Sequence, residues 1–188
     1  MIGRRATGLY FLTLALLASS GCQRRQQLPV LRAVPGFELT SQAGETFGSD
    51  QLKGKIWIAD FIYTTCPGPC PRMSTQMRRI QELTAKWPDV QLVSITINPD
   101  VDTPPVLAAY AKRYLADVSR WHFLTGKREV IHYLKRETFK LGDVTGDLEH
   151  STRFVLIDNK MRVRAYYATM DADPVQRVVD DVRGLLEE

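Results

Sequence analysis

Cysteine and histidine are scarce in this sequence, with three of each among 188 residues. So few cysteines exclude a disulfide-stapled scaffold, and the fold must rest on a hydrophobic core. Charge of one sign is also lacking. The 25 basic and 21 acidic residues leave a net charge of only +4, scattered along the chain, which does not describe a nucleic-acid surface. No apolar run reaches the ~20 residues that cross a bilayer comfortably, and there is no internal repeat. What is present is globular in proportion: 44% hydrophobic and 24% charged residues, close to the soluble average. The length suits one domain, and disordered, collagenous and polytopic membrane classes are excluded.

The N-terminus reads as an address. Arg4 and Arg5 precede an apolar stretch from Leu9 to Ala18, followed by Ser19, Ser20, Gly21 and Cys22. A positive start, a short apolar run and small residues describe an export signal. Small residues directly before a cysteine resemble a bacterial lipoprotein processing site. On that reading residues 1–21 are removed, Cys22 is acylated, and residues 22–34 form a polar, basic tether. The domain is then expected over 35–188, exported, membrane-tethered and facing the periplasm or cell exterior, where oxidising conditions bear on its two remaining cysteines.

Hydrophobic periodicity lays out the domain. Ile56 to Tyr63 and Val90 to Ile97 are apolar, β-rich runs of the kind buried on both faces of a sheet. Met73, Met77, Ile80, Leu83 and Trp87 recur at helical spacing and predict a helix over about 71–87. Pro104-Pro105 opens a helix to about Tyr114. A short strand over 121–124, a helix over 127–136, a polar loop over 138–151, a hairpin across Asn159-Lys160 and an amphipathic helix over 174–186 complete the order. Strands separated by helices imply an α/β sheet covered by helices, and the closing hairpin and helix fit a thioredoxin-like arrangement.

The chemistry concentrates in Cys66-Pro67-Gly68-Pro69-Cys70-Pro71, which ends a core strand and opens a helix. In open α/β sheets this is where ligands bind. Pro71 fits the first helical position and Cys70 the cap. The helix N-terminus and Arg72 are expected to favour a thiolate at Cys70. A stiff three-residue spacer holds the two thiols close enough to form a disulfide or grip one soft metal ion. A structural disulfide, a redox dithiol and a metal site therefore all stand open. A peroxidatic cysteine is disfavoured, because Tyr63 and Pro67 occupy the places three residues before each thiol where Thr is wanted. A structural zinc lacks a fourth ligand.

Of the histidines, His122 lies within a strand between Trp121 and Phe123, and His132 on a helix beside Tyr133; both read as packing or surface residues. His150 differs, standing at the end of a Gly/Asp-rich loop just before the hairpin. Gly142 and Gly146 give that loop room to move. Asp143, Asp147 and Glu149 are candidates to orient the imidazole, although solvated loop carboxylates describe them better. Met73 and Met77 carry thioethers near Cys70, but lie on the helix's apolar face and read as core.

These residues together resemble the SCO/SenC family of copper proteins. The strand–CxxxCP–helix pattern is present as Cys66, Cys70 and Pro71, the single histidine as His150-Ser151-Thr152, and the "DPxxDTP" segment as Asn98 to Pro104, with Asn98 where Asp is usual. The resemblance spans about residues 35–186. It implies a thioredoxin-like fold and copper, as Cu(I) or Cu(II), held by Cys66, Cys70 and His150. It also implies a tethered domain that takes copper from a periplasmic donor and delivers it to the binuclear site of cytochrome c oxidase subunit II. Some members of the family are linked instead to thiol–disulfide exchange. In that case the chain is an oxidoreductase working through Cys66 and Cys70 on the cysteines of the same target, or a redox sensor.

Overall fold

Every residue from Ile56 to Ile62 is buried, and so is every residue from Val90 to Thr96. Two seven-residue runs with no polar face can be satisfied only as central strands covered on both sides. In the computed structural model, which describes residues 27–142 and 151–188, they pair in parallel from Ile56↔Val90 to Ile62↔Thr96.

In chain order the elements are β1 (Arg32–Ala33), β2 (Glu38–Ser41), β3 (Thr46–Gly48), β4 (Ile56–Ile62), α1 (Cys70–Leu83), β5 (Val90–Thr96), α2 (Pro104–Arg113), β6 (Trp121–Thr125), α3 (Arg128–Tyr133), a π-helical turn (Leu134–Thr138), β7 (Arg153–Ile157), β8 (Arg162–Ala168) and α4 (Pro174–Leu186). The strands form one sheet in the order β1-β8-β7-β4-β5-β6-β2-β3. Strands β4, β5 and β6 run parallel, and the β7–β8 hairpin returns antiparallel beside β4. This is the α/β, thioredoxin-like architecture expected from the sequence.

Differences from the sequence reading have local causes. Helix α1 ends at Leu83, not Trp87. The Thr84 hydroxyl donates to the Ile80 carbonyl at 2.7 Å, and Trp87 N–H closes a turn onto Thr84 at 2.9 Å. Pro88 also disfavours helical geometry at Trp87. The expected helix over 127–136 is α3 continued by a wider π turn to Thr138. It delivers Phe139 edge-on against Trp57 and Phe61, at 6.0 and 5.8 Å between ring centroids. Such a widening changes which side chains face inward.

Part of the expected tether is folded. Leu31 N–H donates to the Val163 carbonyl at 2.9 Å, and Arg32–Ala33 pair with β8 as an edge strand. A two-residue strand carries no sequence pattern, which is why β1 goes unread, whereas the extended piece that Pro35–Thr40 predicts is β2 in part. The candidate lipidation residue Cys22 lies outside the described residues.

Face assignments position the site. Met73, Met77 and Ile80 of α1 are fully buried at i, i+4 and i+7, so both methionines are core residues. On α4, Val175, Val178, Val179, Val182 and Leu185 form the same kind of stripe. The Asp173 side chain caps that helix by accepting from Gln176 N–H at 3.2 Å.

Candidate functional site

Strand β4 ends at Ile62, and α1 begins at Cys70, so seven residues turn the chain at the carboxyl edge of the parallel strands. Cys66 N–H donates to the Tyr63 carbonyl at 3.2 Å, and Met73 N–H to the Pro69 carbonyl at 3.0 Å. The first bond folds Tyr63–Cys66 into a tight turn, and the second starts the helix. Pro69 is the N-cap, with Cys70 and Pro71 as the first two helical residues, one position later in the helix for Cys70 than the sequence implied. Both cysteines are buried, at 7% and 2% exposure, and no disulfide joins them.

The two thiols are unequal. Burial opposes ionisation of Cys66. Hydrogen bonds from the Cys70 thiol, from the Cys70 and Gly68 N–H groups and from the Tyr63 hydroxyl outweigh it and carry the Cys66 pKa below its ordinary value. Burial pushes Cys70 up, and the hydrogen bond it gives to Cys66 and the charges of Cys66 and Asp60 push the same way. The expected thiolate at Cys70 is thus corrected: at 2% exposure desolvation outweighs its position at the helix start, and the thiolate tendency passes to Cys66. Tyr63, in giving its proton to that hydrogen bond, is held at about 12, with its own burial the first cause.

A third support is Asp102, fully buried, whose carboxylate accepts from Thr64 N–H at 3.0 Å and from the hydroxyls of Thr64 and Thr96. Beneath the pair lies Asp60, a buried carboxyl in the middle of β4. Around Asp60 the packing is partly polar. Trp121 Nε1 donates to Ser94 Oγ at 3.0 Å, and the hydroxyls of Ser74 and Tyr110 bond at 2.9 Å.

His150, with Asp143, Asp147 and Glu149, lies outside the described residues. The chain that follows it is well placed. It leads into β7, which pairs antiparallel with β4 up to Ala59↔Val155. Ser151 is buried, and Thr152 is fixed because its carbonyl accepts from Thr169 N–H at 2.8 Å and Thr169 Oγ1 at 3.0 Å. The Thr169 carbonyl in turn accepts from Gln76 of α1 at 3.0 Å. Among the described residues, no cluster of three His, Cys, Asp or Glu side chains could hold a metal.

The other histidines are placed away from this chemistry. His122 Nε2 pairs with Gln91 Oε1 at 3.0 Å and its ring packs against Phe47 at 4.8 Å. Burial, with Lys55 nearby, pushes its pKa down to about 4. His132 sits half-buried in the last turn of α3.

Sequence reasoning overlooked the supporting residues. Tyr63 flanks the thiols but carries no motif. Asp102 reads as part of a structural segment. Asp60 did leave a signal, a carboxylate inside the apolar run Ile56–Tyr63, which is costly in a strand buried on both faces.

The comparisons with known proteins agree with this fold. The SCO1/SenC family description matches residues 25–187. A SCO1/SenC family lipoprotein from Bacillus anthracis is 34% identical, with a TM-score of 0.76 over 82% of this chain and 95% of its own. BsSco, described as a member of the Sco family of cytochrome c oxidase assembly proteins with a disulfide switch, is 30% identical, with a TM-score of 0.74 over 85% of this chain and 98% of its own. The copper-bound ScoI of Bradyrhizobium japonicum shares the fold, at 22% identity and a TM-score of 0.66 over 81% of this chain and 99% of its own. With the strand–CxxxCP–helix site in place and the family description covering nearly the whole chain, this protein belongs to the SCO1/SenC family.

Proposed function

We propose that this protein binds one copper ion through Cys66, Cys70 and His150 and delivers it to the binuclear copper site of cytochrome c oxidase subunit II. The observation that carries this reading is the buried pair of adjacent thiols, hydrogen-bonded to each other at the carboxyl edge of β4. Two sulfurs and one imidazole suit Cu(I) and accommodate Cu(II). The copper-bound ScoI of the same fold supports the choice of metal, and BsSco's description as an oxidase assembly protein supports the destination.

Copper is cargo here, so its ligands must hold it and then yield it by exchange. Cys66 is the thiol more readily deprotonated, and supplies the first thiolate. Cys70 ionises on metal binding, which offsets the desolvation that otherwise keeps it protonated. A disulfide between the two supplies no thiolate, so the redox state of the pair gates loading.

The entry point of the chain supports tethering through Cys22. Arg164 Nη2 donates to the Leu28 carbonyl at 2.6 Å, and Gly54 N–H, just before β4, donates to the Asn159 carbonyl at 3.0 Å. The N-terminal segment thus meets the domain toward the start of β4. The thiols sit beyond its other end, roughly 20 Å away at about 3.3 Å per strand residue. A lipid at Cys22 would leave the site facing away from the membrane, and the lipoprotein from Bacillus anthracis is a relative of that kind. No helix among the described residues is long and apolar enough to cross a membrane.

The unequal thiols favour a second reading, thiol–disulfide exchange on the same target. An attacking thiolate at Cys66 and a protonated partner at Cys70 are what exchange requires. An anaerobic Cu(I) competition titration against a chromophoric chelator separates the two. One tight equivalent in the wild type, weakened in His150→Ala and abolished in Cys66→Ser and Cys70→Ser, is the result expected of the copper carrier. Weak binding indifferent to His150 overturns it in favour of exchange.

A further inference from the structure

Asp102 lies one residue before the N-cap of α2. The N-cap of α2 is Thr103, with no side-chain capping bond, and the Asp102 carboxylate turns back across the sheet edge. Oδ2 accepts from Thr64 N–H at 3.0 Å and from the Thr96 hydroxyl, and Oδ1 accepts from the Thr64 hydroxyl. The group is fully buried. Two of its three bonds therefore go to one residue, Thr64, thirty-eight positions away in sequence and two before Cys66. The remaining bond ties the carboxylate to β5, where Thr96 Oγ1 also accepts from Asn98 N–H at 3.0 Å.

This arrangement does something specific to the thiols. Cys70 is fixed by α1, whose Met73 and Met77 are locked in the core. Cys66 belongs to no element. Its backbone N–H donates to the Tyr63 carbonyl at 3.2 Å, and between these two residues Thr64 is clamped from outside the turn by Asp102. We infer that Asp102 is the positioning residue of the thiol loop: through Thr64 it fixes where the Cys66 sulfur stands relative to Cys70. All three bonds of the Asp102 carboxylate go to threonines, so it acts on the sulfurs through Thr64. A charge-assisted pair of bonds to one loop residue gives both strength and direction, and small displacements of a reacting pair have large effects.

This inference rests on the dithiol reading of the site, and its test does not need copper. The equilibrium between the Cys66–Cys70 dithiol and its disulfide is measured in dithiothreitol redox buffers with the full chain, for the wild type, Asp102→Asn, Thr64→Val and Thr96→Val. Thermal unfolding and Cu(I) titration run alongside. Asp102→Asn keeps the shape but turns one acceptor into a donor. It is expected to shift the equilibrium about tenfold toward the dithiol, ~30 mV, and to weaken Cu(I) binding comparably. Thr64→Val, which loses only the hydroxyl bond, is expected to shift it severalfold the same way. Thr96→Val, which removes a bond of the same carboxylate without touching the thiol loop, is expected to shift it less than Thr64→Val. A wild-type potential in Asp102→Asn, or a Thr96→Val shift equal to that of Thr64→Val, overturns the proposal. If Asp102→Asn does not fold, the two threonine variants decide alone. Should the wild type bind no copper tightly while these potential shifts appear, the copper reading falls and the positioning role stands.

Discussion

Asp60 stands opposite Ser94 in the parallel register of β4 and β5, and neither of its carboxylate oxygens has a hydrogen-bond partner among the described residues. Burial raises its pKa to about 7, and the nearby Ser94 hydroxyl, already engaged by Trp121, offsets this only in part. A carboxyl raised from 3.8 to about 7 binds its proton more tightly in the folded state. Its contribution to stability is complete below about pH 4 and is lost as the pH rises through 7. Three pKa units correspond to about 4 kcal/mol at most. Asp60→Asn removes this slope, so the variant is expected to gain on the wild type by a few kcal/mol between pH 5 and pH 8 in guanidinium unfolding. Parallel pH profiles for the two proteins would mean that Asp60 titrates normally.

His122 tilts stability the other way. Burial holds its pKa down at about 4, so the folded state disfavours its proton. That contribution is present above the ordinary value of about 6.5 and is lost as the pH falls toward 4. Between pH 4 and 6.5 the two groups oppose each other, which flattens the wild-type profile. His122→Gln retains a side chain able to pair with Gln91 and is expected to improve acid stability by about 1–2 kcal/mol relative to neutral pH. Its Cu(I) affinity should match the wild type, since His122 is committed to Gln91 and Phe47. A weakened copper titration in this variant would place His122 in the metal site after all.

The strongest elements were legible because their patterns are long. Eight-residue apolar runs predict β4 and β5, and the Met73, Met77, Ile80 stripe predicts α1. The Cys66–Cys70 pair was legible as chemistry, but the direction of its thiol asymmetry was not. That depends on Tyr63 folding back onto Cys66 and on how deeply Cys70 is buried, neither of which spacing encodes. Asp102 and Thr64 illustrate the same limit at longer range. Each alone looks like a loop residue, and only the parallel pairing of β4 and β5 brings their loops together. The short edge pieces β1 and β3 are stabilised by the sheet rather than by propensity, so no periodicity marks them.

Arg164 holds the Leu28–Pro29 segment and the C-terminal Glu188 to the domain. At 4% side-chain exposure it donates to Asp158 at 3.1 Å, to both Glu188 carboxylate oxygens at 2.9 Å, and to the carbonyls of Leu28 and Pro29. Removing one partner of a buried ion pair leaves the other charge uncompensated, at a cost of about 3–5 kcal/mol. Here Arg162, bonded to Asp158 at 2.8 Å, softens the loss. Arg164→Met is expected to lower stability by about 2–4 kcal/mol and to expose residues 27–31 to limited proteolysis, with copper affinity unchanged because the clamp lies away from the thiols. Wild-type protease resistance in the variant would show that β1 pairing alone holds the segment.

The Tyr63 hydroxyl and the hydrogen bond from Cys70 both favour the Cys66 thiolate, while Cys70 is held protonated. Alkylation follows thiolate population and access, and both factors favour Cys66, the more exposed of the two at 7% against 2%. In reduced, metal-free protein at pH 7, iodoacetamide is therefore expected to modify Cys66 first, by at least tenfold in rate, as read by peptide mass spectrometry. Tyr63→Phe removes one hydrogen bond to the thiolate and should raise the Cys66 pKa and slow its alkylation severalfold at pH 7. At pH 10, where thiolate formation no longer limits the rate, the variant and wild type should converge. Equal rates at pH 7 would remove Tyr63 from the account of thiol activation, and preferential labelling of Cys70 would reverse the assignment of the two sulfurs. The order of labelling also bears on exchange. If Cys66 is the attacking sulfur, Cys70→Ser should trap a mixed disulfide with a disulfide-bearing target, Cys66 displacing one of the target's two sulfurs as a thiol, whereas Cys66→Ser should not.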